Sequence, residues 1–200
     1  MRIYLASRSP RRRELLTQIG VAFDTIIFRA GERADPETDE TPLPDESAVV
    51  YVERVARAKA EHGARLLSWR KLPIRPVLSA DTTLELDGRI IGKPRDAADA
   101  AAILRCLSGQ THRVLTGVAV TAGGHTDYVL SSSEVRFRPL DDEEIHRYVR
   151  SGEPLDKAGA YGIQGYAGLF VEYIAGSYTG IMGLPVCETG ELLKGLGYKV

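Results

Sequence analysis

Cysteine is scarce in this chain: Cys106 and Cys187 are the only two, with no CxxC pair and no metal-ligand spacing. That leaves no disulfide framework and no thiolate metal cluster to build on. The four histidines, His62, His112, His125 and His146, are scattered, so the expectation is buried structural thiols and surface imidazoles in a reducing cytosol. Excess charge of either sign is also missing, with 26 Lys and Arg against 27 Asp and Glu and a net charge of −1. No whole-surface basic field is available for nucleic acid or an acidic membrane, so any anion site has to be local. Long apolar runs are absent too. The opening MRIYLASRSP lacks the core of a secretory signal, and the uncharged stretches near the C-terminus are too rich in glycine to span a bilayer. The expectation is a cytoplasmic protein with no membrane partner. Neither GxxxxGK[ST] nor a GxGxxG after a strand occurs, nor any internal repeat or heptad run.

What is present is enough for a fold. The 200 residues, 44% hydrophobic and 26% charged, fit one domain over residues 1–200, with or without two lobes around a cleft. Strand and helix signals alternate first and antiparallel strand signals follow. That order predicts an α/β fold: a mixed, twisted sheet with flanking helices and a central cleft.

The most informative stretch is residues 77–94, VLSADTTLELDGRIIGKP. Val77, Leu78, Ser79 and Ala80 read as a buried strand running into Asp81, Thr82 and Thr83. Asp87-Gly88 between apolar residues is a two-residue hairpin signal, since both turn positions need positive φ. The register then sets Leu86 opposite Arg89, Leu84 opposite Ile91 and Thr82 opposite Lys93, which brings Lys93 beside Asp81 at the sheet end. Such a pair is either part of a site or an edge salt bridge of little energetic weight.

Upstream, residues 3–6 read as a first strand, and Ser9-Pro10 reads as an N-cap followed by the proline favoured at the first helical position, with Gly20 as the stop. Arg11, Arg12 and Arg13 occupy the helix's first turn, where the dipole prefers carboxylates. Together with Ser7, Ser9 and free backbone N–H groups they make either a phosphate cradle or a solvated arginine run. Residues 23–28 read as a second strand, followed by an acidic loop that contains Glu32, Asp39, Glu40 and Glu46; one or two of its carboxylates could serve a divalent cation. In the next helix Val52, Val55, Ala56, Ala60 and Gly63 form one stripe. Lys59 falls on that stripe, and snorkelling to the rim is slightly favoured over pointing into a polar cleft. Residues 95–107 read as a helix, residues 112–121 and 126–137 as strands, and Asp141 with Glu144 as a capping box. The glycine-dense stretch 152–183 reads as a turn-rich loop. Its Gln164 offers the donor and acceptor needed to read a pyrimidine edge, although a sheet corner would explain the glycines equally well. Residues 184–196 close the chain as a helix.

Three stretches, SRSPRRRELL (7–16), SADTTLELDGRIIGKP (79–94) and GEPLDKAGAYGIQG (152–165), resemble the Maf family of nucleoside triphosphate pyrophosphatases. YVERVARAKA, LSGQTHRVLTGVAV and GSYTGIMGLP extend the resemblance over nearly the whole length. The family implies hydrolysis between the α- and β-phosphates of a nucleoside triphosphate with Mg²⁺ or Mn²⁺, a homodimer, and a fold similar to that of the inosine triphosphatases. Carried over by position, Asp81 matches the general base, while Ser7, Arg12, Lys59 and Lys93 match the polar set around the triphosphate. Arg11, Thr82 and Gln164 match the combination of the dTTP/UTP subgroup; the 7-methyl-GTP subgroup has glutamine after the aspartate and glutamate at the last position. The metal-supporting carboxylate falls on Glu32 by ungapped match, or on Glu40 if a short insertion is allowed, beside Asp81. Some family members are linked to arrest of septum formation, so the alternative is a nucleotide-binding regulator of cell division acting through partners.

Overall fold

The protein is described by a computed structural model covering residues 2–28 and 39–199. Strand β1 (Arg2–Leu5) leads into helix α1 (Pro10–Gln18), capped by Ser9 with Pro10 at the first position, and then into β2 (Ala22–Thr25). Gly20, just past the helix, has φ +72°, the left-handed stop that glycine tolerates. The second strand is thus shorter than residues 23–28. Helix α2 (Ala48–Trp69) is capped by Ser47. The hairpin β3 (Val77–Leu86) and β4 (Arg89–Ile91) turns on Asp87 and Gly88, both at positive φ, with Leu84 opposite Ile91 and Leu86 opposite Arg89. Then come α3 (Ala97–Leu107), β5 (Thr111–Ala122), β6 (His125–Phe137) and α4 (Asp142–Arg150), the last opened by the Asp141/Glu144 capping box.

The stretch expected as a continuous loop is more structured. Short 3-10 turns lead into an edge strand β7 (Val171–Ala175) and a one-turn helix α5 (Tyr178–Ile181) before α6 (Val186–Gly195). Its glycines hid the strand signal, because VEYIA is short and offers only half a face of apolar residues.

The sheet has the order β2-β1-β3-β5-β6-β7, with β4 also on β3. The β1–β2 and β1–β3 pairs are parallel and the remaining pairs antiparallel. One edge of β3 is paired with β5 from Val77 to Glu85. On its other edge β1 pairs only at Val77 and Leu78 and β4 only at Leu84, Glu85 and Leu86, so among the described residues no strand covers 79–83. That notch is where the parallel strands part, the usual position of a ligand crevice in α/β sheets.

Period-two alternation sorts β3 onto two faces. Val77, Ser79, Asp81 and Thr83 face α2, whose Val52, Val55, Ala56, Ala60 and Gly63 stripe is buried as the periodicity predicts. Gly63 makes the approach possible, since a Cβ there would lie 2.8 Å from Val77 Cγ1; one on Gly117, opposite Asp81, would lie 3.1 Å from the Val52 carbonyl. Leu78, Ala80 and Leu84 face the other way. There one core forms with α1 and α6 around Leu5, Leu15, Leu16 and Leu193, and another with α3 and α4 around Leu104, Phe137, Tyr148 and Phe170.

Two expectations are corrected. Cys106 and Cys187 are both exposed; each sits on the outward side of a helix whose inward positions are Ala100, Ala101, Leu104 and Leu107 in α3 and Thr189, Gly190 and Leu193 in α6. His62 and His112 are buried, at 4% and 1% exposure, because each packs edge-on against aromatic rings, Phe28 and Trp69 for the first and Phe137 and Tyr161 for the second.

Burial pulls His112 from 6.5 down to about 4. The unfolded chain therefore takes up this proton first as pH falls. The stabilisation is fully present above pH 6.5 and is lost progressively toward pH 4, at most about 3 kcal/mol. Urea unfolding followed across pH 7 to 4 should show this loss, and His112→Gln should flatten the profile over that window while lowering stability at pH 7.

Candidate active site

The notch opens into a cleft of about 1120 Å³, room for a nucleotide with its phosphate chain. Among the described residues, six basic side chains (Arg8, Arg11, Arg12, Lys59, Lys93 and Lys157) line it against four acidic ones, Asp39, Glu40, Asp81 and Asp156. A chain of net charge −1 thus concentrates positive charge at one place, as a local anion site requires.

Asp81 lies midway along β3, not at the end of the sheet, and is 7% exposed. Its partner is Lys59, whose Nζ donates to Asp81 Oδ1 at 2.8 Å and lies 2.9 Å from Glu40 Oε1. Lys59 therefore points into the cleft and does not snorkel: the close packing of α2 sets its ammonium over the strand, where two carboxylates balance it. Lys93 is exposed and lines the same cleft. The β3–β4 ladder stops at Ile91, two residues short of it, and Thr82 pairs with Thr116 of β5.

Glu40 is held by its neighbours. The Arg54 guanidinium grips the Glu46 carboxylate at 2.7 and 2.8 Å and donates to the carbonyls of Asp39 and Thr41 at 3.0 Å each. These hydrogen bonds pull the Glu46 carboxyl down to about 2, so the clamp stays ionised at any physiological pH. The Tyr51 hydroxyl donates to the Glu40 carbonyl at 3.0 Å; burial, then the charge of Asp81, push that hydroxyl up and keep its proton in place.

On the opposite face of β3, Arg12 leaves the first turn of α1. Its Nε donates to the Gly183 carbonyl at 2.8 Å, one terminal nitrogen to Ser7 Oγ at 3.3 Å and the other to Thr82 Oγ1 at 3.1 Å. Burial lowers the guanidinium below the usual arginine range and Asp81 opposes that shift; an arginine remains a cation either way. Ser7 Oγ also accepts from the Ser9 amide, closing the turn between β1 and α1.

Gln164 is carried by a loop wound around Glu153. The Glu153 carboxylate accepts from the Tyr148 hydroxyl at 3.0 Å and the Tyr166 amide at 3.4 Å, and its carbonyl accepts from Lys157 Nζ at 2.6 Å. Gly162 and Gly165 leave room there, since a Cβ on either would displace the Lys157 or Glu153 side chain from its place.

A family model described as "Maf-like protein" matches residues 2–196. The chain belongs to the Maf family. Its curated relatives include a protein of Dechloromonas aromatica that is 76% identical over 199 residues, covering 100% of this chain and 99% of that one. Others are from Aromatoleum aromaticum, 67% identical with 98% and 96% covered, and Chromobacterium violaceum, 54% identical with 100% and 96% covered. All three are named dTTP/UTP pyrophosphatase. Among solved structures, the Staphylococcus aureus Ham1 protein aligns over 68% of this chain and 72% of its own, at 16% identity and a TM-score of 0.44.

This Maf chain brings nine of the ten site residues read from its sequence to one cleft: Ser7, Arg11, Arg12, Glu40, Lys59, Asp81, Thr82, Lys93 and Gln164. The tenth, Glu32, lies outside the described residues. Thr116, the Gly183 carbonyl and Tyr51 were not legible in advance. Thr116 alone left a trace, as a hydroxyl within the apolar run from Val114 to Val120 of β5.

The Lys59–Asp81 pair has a measurable consequence. Lys59→Met leaves a nearly buried carboxylate without its counter-ion and should cost about 2–3 kcal/mol in urea unfolding. Combining it with Asp81→Asn, which removes the stranded charge, should recover part of that loss.

Proposed function

We propose that this chain is a nucleoside triphosphate pyrophosphatase that hydrolyses dTTP and UTP to the monophosphate and pyrophosphate. The observation that carries the reading is that Asp81 and the Arg12 cradle meet at the uncovered stretch of β3, in a chain that aligns end to end with relatives named for this activity. Arg11, Arg12 and Lys93, with Ser7 and the α1 N-terminus, take up the triphosphate and offset the charge that grows on the departing pyrophosphate. Water attacks the α-phosphorus as the bridging P–O bond to the β-phosphate breaks, and Asp81 receives the water proton or serves as a cation ligand. Lys59 keeps Asp81 oriented between those roles. Gln164, at the exposed rim with Arg11, reads the pyrimidine through its amide.

The donor set fits Mg²⁺ or Mn²⁺ of the kind held by one or two carboxylates and completed by substrate phosphate and water. Asp81 and Glu40 already share one ammonium, and each has a second carboxylate oxygen. Among the described residues no group of three or more His, Cys, Asp or Glu could hold an ion alone. When bound, the ion would supply charge neutralisation on the phosphates and polarise the reacting phosphoryl group. The two exposed, unpaired cysteines suit a cytoplasmic setting, no described helix is long and apolar enough to cross a membrane, and the family resemblance supports a homodimer.

Pyrophosphate release measured on dTTP, UTP, dCTP, GTP and 7-methyl-GTP with Mg²⁺ or Mn²⁺ should favour dTTP and UTP. Turnover of 7-methyl-GTP with none of dTTP overturns the substrate assignment, and tight nucleotide binding without product under either metal would point to the regulatory role. Asp81→Asn should lower kcat by about 10²–10⁴-fold with the fold intact. Gln164→Glu, which trades the amide donor for an anion, should reduce kcat/KM for dTTP by at least about tenfold and leave binding of inorganic tripolyphosphate within about twofold.

A further inference from the structure

We infer that Thr116 is a positioning residue for Arg12, acting through a one-way hydrogen-bond relay that also fixes what Thr82 can do. Thr116 is fully buried on β5, and its hydroxyl lies 2.8 Å from the Gly180 carbonyl and 2.9 Å from Thr82 Oγ1. A carbonyl only accepts, and a hydroxyl has one proton. The Thr116 proton is therefore committed to Gly180, so Thr82 must be the donor in the Thr82–Thr116 bond. With its own proton directed at Thr116, Thr82 turns a lone pair toward Arg12, whose terminal nitrogen donates to it at 3.1 Å.

The relay ends on parts of the backbone that have little freedom. Gly180 sits in α5, held by its amide to Ser177 Oγ at 3.0 Å, and a Cβ there would come within 2.9 Å of Ser131 Oγ. Gly183, which accepts from Arg12 Nε, has φ +110°, a conformation that suits glycine alone. The GSYTGIMGLP stretch thus supplies two carbonyls at fixed positions, one at each end of the Arg12 network.

Three of the five guanidinium N–H groups are occupied in this way, by Gly183, Ser7 and Thr82. Among the described residues the other two, one on each terminal nitrogen, are left for a ligand, the number that brackets a phosphate. Thr82 thus has no proton to offer a nucleotide, and one of its lone pairs is given to Arg12. The phosphate as ligand rests on the proposed function; the relay itself does not.

The test compares wild type, Thr116→Val, which keeps the shape and removes the hydroxyl, and Thr116→Ser, which keeps the relay. In the ligand-free protein, exchange of the Arg12 side-chain N–H protons with water, read by ¹⁵N NMR, should speed up about tenfold in T116V and stay within about twofold of wild type in T116S. The dissociation constant of inorganic tripolyphosphate should rise about tenfold in T116V and not in T116S, and this effect should vanish in an Arg12→Ala background. Should T116V fail to fold, Thr82→Val breaks the relay one link along and takes the same readouts. Unchanged exchange in the valine variant, or a T116V penalty that persists without Arg12, overturns the inference. Protected Arg12 protons in a protein that binds no tripolyphosphate would instead uphold the relay and overturn the proposed function.

Discussion

The site depends on a missing neighbour. Residues 79–83 of β3 are bound to β5 on one edge and have no described strand on the other, because β1 has ended and β4 has not begun. In a continuous sheet the side chains of Asp81 and Thr82 would lie on opposite faces, with the sheet itself between them, and could not serve one ligand. With the edge bare, both faces of the strand border the same opening. Asp81 reaches it from the α2 side and Thr82, with Arg12, from the α1 side. Adjacent residues that point to opposite faces of the strand thereby become partners in one cleft, which is the property a phosphate-cleaving site needs: a carboxylate and a cation cradle close together but not neutralising each other.

That separation is maintained by packing. The small residues Ala56, Ala60, Gly63 and Gly117 let α2 lie close on the sheet, and the approach fixes Lys59 above Asp81. Had Lys59 been the snorkelling residue that its helical position suggests, Asp81 would have been left to the other cations of the cleft, Arg12 on the adjoining face among them. An Asp81–Arg12 ion pair would then have consumed both functions at once. The lysine, balanced by two carboxylates, leaves Arg12 to be anchored by neutral groups, namely two hydroxyls and a carbonyl. Neutral anchors orient a guanidinium without cancelling its charge.

Local chemistry was largely legible in the sequence and long-range geometry was not. Asp87-Gly88 announced its hairpin and register because turn type follows from φ, a one-residue property. Ser9-Pro10 and the Asp141/Glu144 box announced their helices for the same reason. The Arg11 to Arg13 run pointed to an anion site because it violates the dipole rule, and violations of local preference are where function tends to show. Lys59 was misread because a lysine on an apolar stripe looks the same whether it meets solvent or a buried carboxylate; only the depth of α2 on the sheet decides. Lys93 was brought to Asp81 by extending a ladder that ends early, at Ile91. His125 and His146 lie at the surface as expected, but His62 and His112 are buried because they meet aromatic partners such as Trp69 and Phe137. Cys106 and Cys187 fall on the outward sides of their helices. The resemblance to Maf proteins added the substrate and the order of phosphate cleavage, which no spacing or periodicity contains.

The glycine-dense C-terminal third shows why composition alone misled most there. Its glycines fit a turn-rich loop and a sheet corner equally well. Part of it does border the cleft, at Gly162 and Gly183, yet the individual glycines serve three different needs. Gly162 and Gly165 clear space for Lys157 and Glu153, which shape the loop that carries Gln164. Gly180 clears space beside Ser131, and Gly183 takes up a positive φ that aims its carbonyl at Arg12. At Gly162, Gly165 and Gly180 the missing side chain makes room for another side chain of the protein, and at Gly183 it permits the backbone conformation. The stretch thus contributes backbone and space to two of the basic residues of the cleft: the Gly183 carbonyl holds Arg12, and Lys157 lies against Gly162 with its ammonium on the Glu153 carbonyl.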